Sequence, residues 1–188
     1  MKIKPVAGIV LRQFYLMRGS PVRVFPMVTW VAIDIVLWGF ITRYLNSVSG
    51  TGMDFVPTLL GGVLLWDFCT RIMQGVSTAF LEDVWSRNFL NLFASPLSVA
   101  EYIMGLVITS VVTSSIGLIV MLLLATGIFH LQFFSLGLPL FAFLMVLFVF
   151  GISLGIFASG MVLRLGPASE WLLWPLPALL SPFAAVFY

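Results

Sequence analysis

Three ionisable residues stand inside otherwise apolar stretches of this chain: Asp34, Asp67 and Arg71. A charge at the centre of a bilayer costs about 2.5–3.5 kcal/mol on insertion scales, so such residues pair with one another or line a polar path. Asp67 and Arg71 are four residues apart, on one helix face, and an intrahelical ion pair would let that helix insert. Asp34 has no opposite charge at helical spacing in its own stretch, so it is expected to pair with Arg71 across two helices. The trio could also serve as an ion or proton relay. Asp34 and Asp67 could form a catalytic aspartate pair, but no flanking motif supports one.

Other chemistries lack their residues. Lys2 and Lys4 are the only lysines, and neither follows a glycine-rich turn, so the chain has no phosphate-binding loop of its own. Cys69 and His130 are the sole cysteine and histidine. They cannot form an internal disulfide or a structural zinc site, which needs four such ligands. No catalytic, cofactor-binding or metal-binding residue is assigned.

The elements that must position these residues are set by composition. Of 188 residues, 61% are hydrophobic and 9% charged. A soluble domain carries about 25% charged residues, so this chain cannot coat a water-facing globule. Soluble enzyme, nucleic-acid binder and disordered tail are excluded, and the fold class is an all-α, polytopic transmembrane helical bundle. A crossing helix needs about 20 apolar residues. Five spans are expected, at 24–42, 55–80, 102–129, 138–163 and 169–188, as one membrane domain over residues 1–188. Lys2, Lys4, Arg12, Arg18, Arg23, Arg87 and Arg164 fall on the side of the N-terminus and Arg43 on the other, which puts the N-terminus in the cytoplasm.

Local signals fill in the connections. Residues 1–19 read as an interfacial helix ended by Gly19, with Ser20 and Pro21 starting the first span. Ser98 and Glu101 have capping-box spacing and mark the start of the third span. Gly151, Gly155 and Ser159 form a small-residue stripe on the fourth, suited to close helix packing within the subunit. Pro175, Pro177 and Pro182 crowd the fifth and predict a broken helix.

Between the second and third spans lies LEDVWSRNFLNLFASPL, Leu81 to Leu97. Read as one helix ended by Ser95 and Pro96, it puts Leu81, Val84, Trp85, Phe89 and Leu92 on one face. Asp83 and Arg87 are then an i,i+4 pair. Leu90 falls among the polar residues. The segment reads either as an interfacial helix or as a docking helix with Arg87, Leu90 and Asn91 on its contact face.

The run FLEDVWSRNFLNLFASPLSVAEYIMG, Phe80 to Gly105, resembles the corresponding loop of the ABC-2 type permeases, the membrane subunits of ATP-binding-cassette exporters. The N-terminal helix and the ending WPLPALLSPFAAVFY resemble that family too. The resemblance implies that residues 81–97 form a coupling helix seated in a cleft of a separate ATPase. Its contact residues would be Glu82, Asp83, Trp85, Arg87, Asn88, Leu90 and Asn91. It further implies an ATPase homodimer that binds ATP and Mg, and a second copy of this permease or a paralogue. Location in a bacterial-type inner membrane and export of a hydrophobic, lipid-linked or saccharide substrate follow from the same resemblance. The family usually has six spans, so the chain is expected to be incomplete at its C-terminus. The alternative is an ATP-independent carrier or channel that uses Asp34, Asp67 and Arg71 as a relay. The inverted repeats common in such carriers are not visible here.

Overall fold

The structure, a computed structural model, describes residues 2–48, 56–132 and 137–184. Every regular element among them is helical. In chain order these are α1 (Ile3–Arg18), α2 (Pro21–Val48), a π-helical turn (Val56–Leu60), α3 (Gly61–Trp85), α4 (Phe89–Ala94), α5 (Val99–Phe129), α6 (Leu138–Leu165), a 3-10 segment (Pro167–Leu173) and α7 (Pro175–Leu180). Helices α2, α5 and α6 are long and apolar enough to cross a membrane. They expose large apolar side chains such as Phe40, Leu123 and Val146, as a bundle solvated by lipid does. The chain is a helical membrane protein.

These three helices match the first, third and fourth expected spans, with α2 running on to Val48. In place of the second stands α3, the central helix, packed on both α5 and α6. It is 25 residues long but carries a polar stripe and is not among the helices apolar enough to cross. The start expected for it at Phe55 lies outside the described residues. The fifth expected span differs more. From Ser169 to Ala184 the chain forms part of the 3-10 segment, then the six-residue α7, neither of spanning length. Pro175 opens α7. A proline lacks the N–H that a continuing helix needs but fits a first turn, where that group is free. Residues 185–188 lie outside the described residues.

The N-terminal punctuation is as expected. The Gly19 N–H closes α1 on the Tyr15 carbonyl at 2.9 Å, and α2 restarts at Pro21. Val6, Ile9 and Gln13 are the buried face of α1, while Leu11, Phe14 and Tyr15 are exposed, an arrangement suited to a membrane interface. The capping box forms at the start of α5. Glu101 N–H donates to Ser98 Oγ at 3.3 Å, and Ser98 N–H to Glu101 Oε2 at 3.2 Å. Glu101 also accepts the Lys2 N–H at 2.6 Å, which ties α1 to α5.

Two apolar clusters hold the bundle. At the far end Val31, Ile35, Leu60, Leu64, Met121 and Ala125 join α2, α3 and α5. At the α1 end Ile9, Phe80, Tyr102, Leu106, Val162 and Leu173 join α1, α3, α5, α6 and the segment after it. Gly151 and Gly155 face α3, as the stripe predicts. Its continuation is Ala158 and Val162, both buried. Ser159 is half-buried and donates instead to the Gly155 carbonyl at 2.8 Å.

Candidate functional site

On α3 the residues Asp67, Arg71, Gln74, Thr78 and Glu82 recur every three or four positions, so their side chains share one face. They line a cleft of about 700 Å³. Helix α2 contributes Arg23, Trp30 and Asp34, α5 contributes Thr109 and Thr113, and Trp174 reaches it from the C-terminal segment. Arg23 and Asp34 are eleven residues apart, so the cleft runs about 16 Å along α2 at helical rise. Beyond Asp34 and Asp67 lies the far apolar cluster, in which Leu60 and Leu64 precede Asp67 on the chain.

The charges in this cleft are paired, both between α2 and α3 and within α3. At the α1 end Arg23 Nη1 donates to Glu82 Oε2 at 2.6 Å. Deeper in, Arg71 Nε donates to Asp67 Oδ2 at 2.7 Å, and Arg71 Nη2 lies 4.0 Å from Asp34 Oδ2. Both pairings expected of Arg71 are therefore present, but they are unequal. The Asp67 contact is a hydrogen-bonded ion pair, while Asp34 is beyond hydrogen-bonding distance. With both carboxylates ionised the trio carries a net negative charge. Gln13 is 4% exposed, lines the cleft, and its Nε2 has no hydrogen-bond partner among the described residues.

This inequality predicts an order of effects. Arg71→Ala strands the half-buried Asp67 without its donor and should cost about 1–3 kcal/mol, the scale of leaving an acceptor unsatisfied. Asp34→Asn removes only a long ion pair and should stay within about 1 kcal/mol. Thermal unfolding of the purified variants checks both. Equal losses would show that Asp34 shares Arg71 evenly with Asp67.

The loop after α3 is not a single helix over 81–97. Helix α3 continues to Trp85 and stops, because Arg87 takes a left-handed conformation, φ 53°. Arg87 N–H bonds the Val84 carbonyl and Asn88 N–H the Asp83 carbonyl, both at 3.1 Å. This is a Schellman ending with arginine where glycine is usual. The reversal lets the short α4 fold back. Phe89 packs on Phe80, Phe93 and Tyr102 with ring centroids 5.8, 4.8 and 6.1 Å away. Burying these rings offsets the roughly 1–2 kcal/mol of placing a side chain in the left-handed region.

Residues singled out in the loop therefore separate into two groups. Asp83 is fully buried and does not pair with Arg87. Its carboxylate accepts from Tyr102 Oη at 2.8 Å and from both terminal nitrogens of Arg12. The hydrogen bond to Asp83, opposed by desolvation, raises the Arg12 pKa above its ordinary value. Glu82 is held by Arg23, and Trp85 Nε1 donates to Glu170 at 2.5 Å. Asn88 is half-buried. Arg87, Leu90 and Asn91 are exposed, Leu90 at 80%. The cleft's polar stripe from Asp67 to Glu82 was readable in the spacing but is only partly covered by the expected intramembrane residues. Compared with family models, curated proteins and solved structures, the chain matches none.

Proposed function

We propose that this chain is the membrane-spanning permease subunit of an ABC-2 type exporter, driven by ATP hydrolysed on a separate ATPase. The observation that carries the reading is the reversal at Ser86–Asn88. It presents Arg87, Leu90 and Asn91 outward at the α1 end, the end at which the polar cleft is flanked by Arg23 and Glu82. An 80% exposed leucine beside the polar Asn91, on a short helix, is an apolar anchor that a partner's groove would bury.

The connections suit transmission of force. Leu90 and Asn91 stand on α4, and α4 is packed through Phe89 and Phe93 onto Phe80 of α3 and Tyr102 of α5. Three residues before Ser86, Asp83 is bonded to Arg12 of α1. A partner pushing on α4 would move the ends of α1, α3 and α5 together and shift Glu82 relative to Arg23. That would open or close the cleft. In this reading the membrane is a bacterial-type inner membrane, the N-terminus is cytoplasmic, and two permease copies work with two ATPase copies. The substrate is a hydrophobic, lipid-linked or saccharide molecule.

The alternative is an ATP-independent carrier, favoured by Arg71 lying between two carboxylates, one of them on the spanning helix α2. Affinity capture from native membranes separates the two. An Arg87→Ala/Leu90→Ala/Asn91→Ala variant changes only exposed side chains and should fold like the parent. The parent should retain an ATP-binding-cassette ATPase and the variant should lose it. A well-folded parent that retains no such ATPase would favour the carrier.

A further inference from the structure

The four threonine hydroxyls of the cleft share a property that bears on its ligand. Thr70 donates to the Trp66 carbonyl at 3.0 Å, Thr78 to Gln74 at 2.5 Å, Thr109 to Gly105 at 2.9 Å and Thr113 to Thr109 at 3.1 Å. A hydroxyl has a single proton to donate. With that proton spent on the helix's own backbone, each of these four oxygens has only lone pairs left for the cleft, and all four residues line it. These four positions therefore accept hydrogen bonds and do not supply them, while Gln13, Gln74 and Ser114 carry donor groups elsewhere on the wall.

The charges point the same way. Arg23 and Arg71 already donate to Glu82 and Asp67. Asp34 is 39% exposed, and its one partner among the described residues is Arg71 at 4.0 Å. It keeps unused acceptor capacity inside the cleft. Trp30 and Trp174 add two indole surfaces, and an indole face attracts a cation by about 0.5–2 kcal/mol. An anion would meet three carboxylates and two guanidinium groups that each already hold one of them. A neutral polyol would leave Asp34 without an opposite charge at hydrogen-bonding distance. Gln13 adds a donor with no partner among the described residues, which a heteroatom of the ligand could fill.

We infer that the cleft between α2, α3 and α5 binds an organic cation bearing N–H donors, with its charge against Asp34 and its apolar body against Trp30 and Trp174. This names a substrate class for the proposed permease and rests on that reading only for what the binding serves. The binding itself needs no ATPase, so its test and the capture experiment fail independently.

The probe is 9-aminoacridine, an aromatic cation with N–H donors, titrated by fluorescence into the full chain in phosphatidylcholine nanodiscs. Saturable binding is expected, weakened about tenfold or more by Asp34→Asn, the usual scale for losing a hydrogen-bonded charge partner. Tetraphenylphosphonium, a cation without N–H groups, should bind more weakly than 9-aminoacridine to the parent. The anion 8-anilinonaphthalene-1-sulfonate should respond to neither change. Should Asp34→Asn misfold, Thr70→Val and Thr113→Val carry the test, because each removes an acceptor at nearly constant shape and should weaken 9-aminoacridine alone. Unchanged affinity in every folded variant, or tighter binding of the anion than of the cation, would overturn the inference.

Discussion

Replacing Asp83 with alanine should cost about 3–5 kcal/mol and release α1 from the bundle. Asp83 has no exposed surface and holds three donors: two guanidinium nitrogens of Arg12 and the hydroxyl of Tyr102. Removing it leaves the Arg12 guanidinium and a buried phenol without their acceptor. The position also joins three helices, since Arg12 lies on α1, Asp83 on α3 and Tyr102 on α5. Tyr102→Phe deletes one donor and leaves the ion pair, so its cost should be smaller, about 1.5–3 kcal/mol. Thermal unfolding in detergent gives the ranking. Limited trypsin digestion gives the mechanism, because freeing α1 should expose cleavage after Arg12 and Arg18. An Asp83→Ala protein that melted with the parent and kept α1 protected would mean that Val6 and Ile9 hold that helix unaided.

The same residue shows where local sequence rules stop. Asp83 and Arg87 have ideal spacing for an ion pair, worth a few tenths of a kcal/mol at an exposed helix surface. Arg12, 71 positions earlier, offers Asp83 a buried two-nitrogen contact, and charge-assisted forks of that kind are roughly twice as strong as neutral hydrogen bonds. Once Asp83 is committed inward, Arg87 is free to break the helix. No glycine or proline marks that break, and the driving contacts of Phe89 and Phe93 with Tyr102 are set by tertiary packing. The sequence therefore reads as one helix where the protein has two with a reversal between them.

Other features were legible because their causes are local or because insertion leaves few alternatives. The capping box needs only Ser98 and Glu101 at the right spacing, and it forms. Asp67 and Arg71 are neighbours on one helix, and the pair forms. Asp34 required an argument by elimination, which named the right partner but not the distance. The cleft was less legible. Its threonines look like ordinary helix residues in the sequence, and only the structure shows their protons spent on carbonyls and their oxygens on a common wall. The prolines of the C-terminal segment announced a break, but not that the chain would turn back to place Leu173 in the α1-end core and Trp174 beside the cleft.

Gly155→Leu should separate α6 from α3 and cause the largest loss of any single change in the apolar part of the bundle. A Cβ at Gly155 would lie 2.8 Å from the Met73 carbonyl oxygen and 2.8 Å from Val76 Cβ. The equivalent atom at Gly151 would lie 2.8 Å from the Cys69 carbonyl oxygen. Carbonyl oxygens of a central helix cannot swing aside as a side-chain tip can, so relief requires the helices to move apart. Overpacking of this kind costs about 1–3 kcal/mol for added methyl or methylene groups. Gly155→Ala should fall in that range and Gly155→Leu above it. A Cβ added at Gly160 on the same helix would meet nothing within 4 Å, so Gly160→Ala should be neutral or gain about 0.5–1 kcal/mol from helix propensity. Unfolding midpoints of the three variants decide the matter. A cysteine pair bridging α3 and α6 supplies a second reading, because its oxidation rate should fall in Gly155→Ala if the helices have parted. Equal stability of Gly155→Ala and Gly160→Ala would mean that α6 is held by lipid and by Ala158 and Val162, with no close approach at the glycines.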